Sequence, residues 1–285
     1  MRREYPYYRN LFPVKIGIWI IKIVVITDRN PMRNPRHILI TGASSGIGAA
    51  LAEAYAAPGI TLALHGRNRE RLDHVAESAR QRGAEVTVTI VDVTDAESMA
   101  AWISECDARQ PIDLIIANAG VSLGKNWGGE TDQESRAMFD INVTGVLNTV
   151  QPVLPLMKAR KRGQIAIVSS LASFRGLYRG GSYSATKAAV RIYGEALRSS
   201  VMQYGIEVNV ICPGFIKTPM TDVNNFPMPL MMPVDKAARI IQDGLAKNRG
   251  RIAFPWAMYM LVWLLAALPP SWADALMQRE ARKRR

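Results

Sequence analysis

Two short runs of the chain, Leu114-Ile-Ile-Ala117 and Ile165-Ala-Ile-Val168, are apolar at every position, and no other feature constrains the fold as much. A strand that covers a core with one face alternates apolar and polar residues, whereas a strand buried on both faces has no polar side to show. Runs of this kind require helices above and below the sheet. Strand and helix patterns alternate after His37, with strands expected near 60–65, 85–91, 113–117, 164–169, 206–211 and 251–254 and helical stretches between them. Such alternation means parallel strands joined by crossover helices. The expected fold class is therefore α/β, a doubly wound parallel sheet in three layers (α/β/α). A chain of 285 residues can bury one sizeable core of this type without a second domain.

Ligands in open parallel sheets bind outside the carboxyl ends of the strands, so the residues just after each strand are the candidates for function. The first strand, His37-Ile-Leu-Ile-Thr41, runs straight into Gly42-Ala-Ser-Ser-Gly46-Ile-Gly48, and a helix through Ala49, Leu51, Ala52 and Tyr55 follows. Strand, glycine turn and helix together can set a pyrophosphate on a helix N-terminus. The spacing has three residues between its first two glycines and so departs from Gly-x-Gly-x-x-Gly. Farther along, Tyr183 and Lys187 are four residues apart and share one face of a predicted helix. An ammonium beside a phenol lowers its pKa from about 10 toward a working pH, which turns a tyrosine into a general acid/base. Ser170 lies thirteen residues upstream at the end of a predicted strand.

These motifs occur in the order found in short-chain dehydrogenases/reductases of the single-domain branch, and the chain resembles that family from about residue 37 to residue 254. The likeness includes Asp92 after the third strand, Asn118-Ala-Gly120 after the fourth, Asn142 within Phe139-Asp-Ile-Asn-Val-Thr-Gly145, and Pro213-Gly214 leading to Thr218. Ala117 stands where the family often has a first asparagine. The resemblance implies a Rossmann-type NAD(P)-binding domain and hydride transfer between a nicotinamide and a carbonyl or alcohol substrate. It implies four catalytic residues. Tyr183 would exchange the proton, Lys187 would tune Tyr183 and hold the nicotinamide ribose, Ser170 would hold the substrate oxygen, and Asn142 would order a water between Lys187 and solvent. It places Thr41, Gly42, Ser44, Ser45, Gly46, Ile47 and Gly48 around the cofactor's phosphates, Asp92 and Val93 at the adenine, and Asn118, Ala119 and Gly120 along the ribose. Tyr183, Lys187, Pro213, Gly214 and Thr218 would complete the cofactor site.

Cofactor choice is read after the second strand, in Leu64-His65-Gly66-Arg67-Asn68, where Gly66 replaces the acid of NAD-preferring relatives. Arg67 can form charge-assisted bonds to a 2′-phosphate, which favours NADP(H) and leaves NAD(H) as the alternative. The stretch 220–233, with Phe226, Met228, Leu230, Met231 and Met232, resembles the family's lid over the substrate; a Met-rich lid suits apolar ligands. A pair of helices closing on the sheet is the other reading of this stretch.

The formal charge of +12 is concentrated at the ends: residues 1–37 hold eight basic and two acidic residues, and residues 277–285 hold five and one. Residues 38–276 carry a net +2, so the central domain presents no nucleic-acid footprint. Cys106 and Cys212 suggest no disulfide framework, which points to a reducing cytoplasm, and His37, His65 and His74 lack metal-ligand spacing. Three regions follow: an extension over 1–31, a catalytic domain over 32–254, and an apolar helical segment with a basic tail over 255–285. The apolar stretch of the extension, residues 16–26, is only eleven residues long and is broken by Lys22, and the extension is either native or lies upstream of a start at Met32. Residues 253–268 are uncharged but too few to span a bilayer; they lie at a membrane surface, or pack against the domain or a partner subunit. A homodimer or homotetramer is the expected assembly. A rival reading is a catalytically idle NADP-binding regulatory or scaffold protein at a membrane surface. Intact Ser170, Tyr183, Lys187 and Asn142 speak against it.

Overall fold

The computed structural model describes residues 34–124, 129–176, 180–224 and 227–272. The 1–31 extension, Phe226 and the basic tail lie outside these residues. Among them, one sheet holds seven strands, β1 (His37–Ile40), β2 (Thr61–His65), β3 (Glu85–Thr89), β4 (Leu114–Ala117), β5 (Gly163–Val168), β6 (Ile206–Pro213) and β7 (Arg251–Phe254). Their order is β3-β2-β1-β4-β5-β6-β7, and every adjacent pair is parallel. The strand order reverses between β1 and β4, and this opens a crevice at their carboxyl ends.

Helices α1 (Gly46–Tyr55), α2 (Arg69–Gln81) and α9 (Val234–Ala246) cover one face of the sheet. Helices α3 (Ala96–Arg109), α5 (Gly145–Val150), α6 (Val153–Arg160) and α7 (Gly181–Val201) cover the other. The period of two along a strand sorts side chains between these cores. Ile38 and Ile40 pack with Leu51, Leu72 and Ile241, while Leu39 between them packs with Ile103, Met157 and Val190. Register aligns Ala63, Leu39, Ile115, Ile165 and Val208 in one row across five strands, all in the second core. Every residue of β4 and β5 is buried, as their apolar runs require, whereas edge strand β3 keeps Glu85 and Thr87 exposed.

Local chemistry starts the helices where the sequence supplies a cap. Asn68 accepts from the amide of Arg71, Asp95 from that of Ser98, and Thr131 with Glu134 forms a capping box at α4 (Asp132–Phe139). Between α4 and α5 the chain makes a wide π turn over Asp140–Thr144. Both cysteines are buried and free. His37 and His65 are buried against backbone carbonyls of Gln110 and Val91, and burial holds both imidazoles below their ordinary pKa.

The excursion after β6 contains the short helix α8 (Pro219–Asp222) and returns through a bridge between Ile216 and Met232. Met232 enters the core, while Met220, Leu230 and Met231 remain exposed. After β7, α10 (Trp256–Ala267) anchors through Met258, Tyr259 and Val262 against Leu171, Phe174 and Phe215. Trp256, Leu261, Trp263 and Leu264 are exposed, so burial against its own domain accounts for only one side of this helix. No helix of the described residues is long and apolar enough to cross a membrane.

Candidate active site

The turn after β1 is closed by backbone contact that only glycine permits. Gly42 has φ +67°, and a Cβ on it would lie 2.7 Å from Ala119 Cα; a Cβ on Gly48 would lie 2.4 Å from the Gly42 carbonyl oxygen and 2.5 Å from Asn118 Nδ2. Asn118 locks this arrangement, donating its side-chain amide to the carbonyls of Thr41 and Gly42 at 2.9 and 3.1 Å. Thr41 Oγ1 accepts from the amides of Asn118 and Ala119 at 3.1 and 3.2 Å. Thr41, Asn118 and Ala119 thus tie the end of β1 to the end of β4. The polar side chains of Thr41 and Asn118 are spent on backbone groups of these two strand ends.

At the start of α1, Ser45 makes no side-chain cap and the first turn holds no acid, so the N-terminal amides keep their partial positive charge available to an anion. Ser44 lies beside Gly66, about where a Cβ on that glycine would touch it, and Arg67 follows with an exposed side chain. Ile47 packs on the core, and Gly46 faces the Thr218 methyl across a gap that a Cβ would fill to 3.3 Å. The stretch after β6 therefore reaches the glycine turn. The residues present fit a dinucleotide: a backbone cradle, an uncapped helix terminus and a cation at the second strand's end.

Asp92 accepts from both the amide and the hydroxyl of Thr94 at 2.9 and 2.8 Å. The backbone hydrogen bond holds its carboxyl below the usual range, with Arg67 contributing, so Asp92 is anionic beside Arg67. Val93 is buried, its side chain against Gly145 and its carbonyl accepting from Asn148.

The second cluster forms where α7 passes the ends of β5 and β6. Ser170 follows β5, caps a short turn by accepting from the Ala172 amide at 3.1 Å, and has its hydroxyl beside the Tyr183 phenol. Burial pushes the phenol above its ordinary pKa and the neighbouring Ser170 hydroxyl works against it. Lys187, 4% exposed, donates from Nζ to the Val168 carbonyl at 3.0 Å and lies 6.0 Å from the centre of the Tyr183 ring. Burial lowers its ammonium to about 8. The two share a helix face, as their spacing requires, but in this state the lysine's hydrogen bond goes to backbone, not to the phenol.

Asn142 is fully buried within the π turn. Its Oδ1 accepts from the Val121 amide at 2.8 Å, and its Nδ2 donates to the Val121 carbonyl at 2.9 Å and to Thr186 Oγ1 at 3.1 Å. Thr186 in turn donates to the Tyr183 carbonyl at 2.8 Å. A Cβ on Gly120 would lie 3.1 Å from both Asn142 Oδ1 and Lys187 Nζ, so this glycine keeps clear the place where the two side chains converge. Pro213 accepts from Ser170 at 3.4 Å, and Gly214 packs on Met258 of α10. Sequence reasoning missed Thr186 and Ser169, whose hydroxyl donates to the Lys187 carbonyl at 2.7 Å. Their adjacency to Lys187 and Ser170 was the available signal.

A glycine cradle thus lies at the switch point, and a serine-tyrosine-lysine cluster lies beside it. A family model described as short chain dehydrogenase matches residues 36–227. An uncharacterized oxidoreductase of Myxococcus xanthus is 37% identical over 245 residues, covering 86% of this chain and 97% of the relative. A 3-dehydrosphinganine reductase of Arabidopsis thaliana is 37% identical over 188 residues, covering 65% of this chain and 56% of that protein. A short-chain dehydrogenase from Sphingobium yanoikuyae in complex with NADPH superimposes with a TM-score of 0.71 at 26% identity, covering 87% and 93% of the two chains. The chain belongs to the short-chain dehydrogenase/reductase family and is an NAD(P)-dependent oxidoreductase.

Proposed function

We propose that this enzyme is NADP-dependent and interconverts an apolar carbonyl compound and its alcohol, with Tyr183 as the acid/base. The observation that carries the reading is the cluster at the end of β5, where the Tyr183 ring lies 6.0 Å from the Nζ of buried Lys187 and the Ser170 hydroxyl stands beside the phenol. When bound, the cofactor supplies or accepts hydride at its nicotinamide ring. In reduction, Tyr183 gives its proton to the substrate oxygen, and burial favours the neutral phenol that can donate. Ser170 donates a hydrogen bond to the same oxygen and stabilises the negative charge that develops there. In oxidation the phenolate is the base, and the Lys187 ammonium offsets the cost of that charge in a buried site. Asn142 holds the 121 segment and, through Thr186, the backbone of Tyr183, so both sides of the cluster keep one geometry.

The exposed Arg67, next in the chain to Gly66, supports NADP, since β2 ends without an acid to repel a 2′-phosphate. Exposed Met220, Leu230 and Met231 on the stretch after β6 support an apolar substrate. Attachment to a membrane surface is supported by α10, where Trp256 is 71% exposed, and by Trp272 at 66%, with the basic 277–285 tail following. A panel of carbonyls with NADPH and alcohols with NADP⁺, read by absorbance of the reduced nicotinamide, tests the reading. Tight cofactor binding with no turnover across a broad panel would overturn it in favour of a cofactor-binding regulatory protein.

A further inference from the structure

Helix α7 begins without a cap of its own. Its N-cap is Gly180, its first residue is Gly181, and neither has a side chain that could accept from the orphan amides of the first turn. Those amides are met from elsewhere. Glu130, more than fifty residues upstream, accepts from the Ser182 amide with Oε2 at 2.7 Å and from the Tyr183 amide with Oε1 at 3.1 Å. A second link joins the same turn to α4, Ser182 Oγ to Ser135 Oγ at 2.8 Å.

The loop that presents Glu130 is itself organised. Gly124, at φ +83°, lies against the Glu130 side chain, and its amide donates to Glu134 Oε1 at 3.2 Å. Glu134 Oε2 accepts from Thr131, whose hydroxyl caps Glu134 in return. Glu134 therefore serves its own helix and the loop before it, while Glu130 alone of the two turns to α7.

We propose that Glu130 is a positioning residue for Tyr183: its carboxylate clamps the first turn of α7 and sets both where the phenol stands against Ser170 and how readily it ionises. Two consequences of opposite sign follow. The clamp fixes the Tyr183 backbone, which favours the contact with Ser170. The negative charge, however, offsets the positive end of a 21-residue helix, which would otherwise stabilise a tyrosinate in its first turn. Other groups act on the phenol from their own elements. These are the Lys187 ammonium one turn along α7, the Ser170 hydroxyl at the end of β5, and behind Lys187 the Cys212 thiol of β6, which burial pushes up to about 12 and so leaves neutral. Glu130 is the carboxylate that reaches the backbone of Tyr183 itself.

The test needs no substrate. Tyrosinate absorbance is followed against pH in the full-length protein saturated with NADP⁺, and the same titration in a Tyr183→Phe background is subtracted to isolate one phenol. Glu130→Gln, which keeps the shape and removes the charge, should lower the Tyr183 midpoint by about half a pH unit. Glu130→Gln with Gly180→Asp, which returns a carboxylate to the same helix end, should restore it. Ser135→Ala loosens the docking of α4 on α7 without touching the charge, and should lower the melting temperature with the midpoint unmoved. Superimposable titrations of the wild type and Glu130→Gln, or an equal shift in Ser135→Ala, would overturn the proposal and leave Glu130 an ordinary cap. If Glu130→Gln does not fold by circular dichroism, Gly180→Asp alone decides, since a second carboxylate there must raise the midpoint; no change overturns the proposal. The readout belongs to the phenol, so a silent substrate panel with the shift intact would sink the proposed function and not the role of Glu130.

Discussion

Replacing Lys187 with methionine tests how costly the buried ammonium is to the free enzyme. The side chain is 4% exposed, and its Nζ donates to one carbonyl, that of Val168. Burial lowers its pKa from 10.5 to about 8. The unfolded chain therefore binds this proton more tightly than the folded one, and wild-type stability must rise with pH between about 8 and the usual lysine value. Below pH 8 both states are charged and the full penalty stands; as pH rises through the folded value, the folded state sheds the proton first. At 1.36 kcal/mol per unit of pKa difference, the penalty at pH 7 is roughly 3 kcal/mol, and about 2.5 kcal/mol of it is relieved by pH 10. Lys187→Met keeps the volume and has no proton to lose. It should be more stable than wild type at pH 7, with the difference shrinking by that amount at pH 10. Urea unfolding without cofactor, at half-unit steps of pH, measures both curves. Cys106 and Cys212, pushed up to about 11 and about 12, bend both curves downward at high pH and cancel in the difference. Parallel curves for the two proteins would refute the reasoning, because they would mean that the folded lysine keeps its ordinary affinity for a proton. The same variant should lose turnover, a stability gain at the expense of function.

Tyr183→Phe should lower kcat about a thousandfold while the cofactor dissociation constant, by fluorescence titration, stays within about twofold, since the phenol moves a proton and contributes little to dinucleotide affinity; retention of most activity would show that another group is the acid. Arg67→Glu should weaken NADPH by about tenfold or more and NADH far less, because it turns a charge-assisted contact with the 2′-phosphate into repulsion; a wild type that uses NADH at least as well as NADPH would already contradict the cofactor assignment. The full-length protein should float with anionic vesicles at low salt, be partly released at high salt as contacts of about 1 kcal/mol per Lys/Arg are screened, and be fully released by detergent. Recovery wholly in the unbound fraction would leave α10 a packing role only. A chain ending at Phe254 would then aggregate, since Met258 and Tyr259 cover Leu171 and Phe174.

Local pattern determined the fold class. The unbroken apolar runs of β4 and β5, the alternation of strand and helix, and a glycine turn placed directly after β1 are statements about neighbours in the chain, and the seven parallel strands follow from them. Spacing likewise placed Tyr183 and Lys187 on one helix face and Ser170 at a strand end. What spacing left open is what each side chain does once its surroundings exist. Tertiary structure buried Lys187 and gave its proton donor to Val168, turned the Asn118 amide onto Thr41 and Gly42, and linked Asn142 to Tyr183 through Thr186. It brought Glu130 to the uncapped end of α7 and left most of α10 outside the core. The physical reason is range: helix and strand periodicity are set within a few residues, whereas burial, and with it the pKa of a phenol or an amine, depends on which distant segments the sheet order sets side by side.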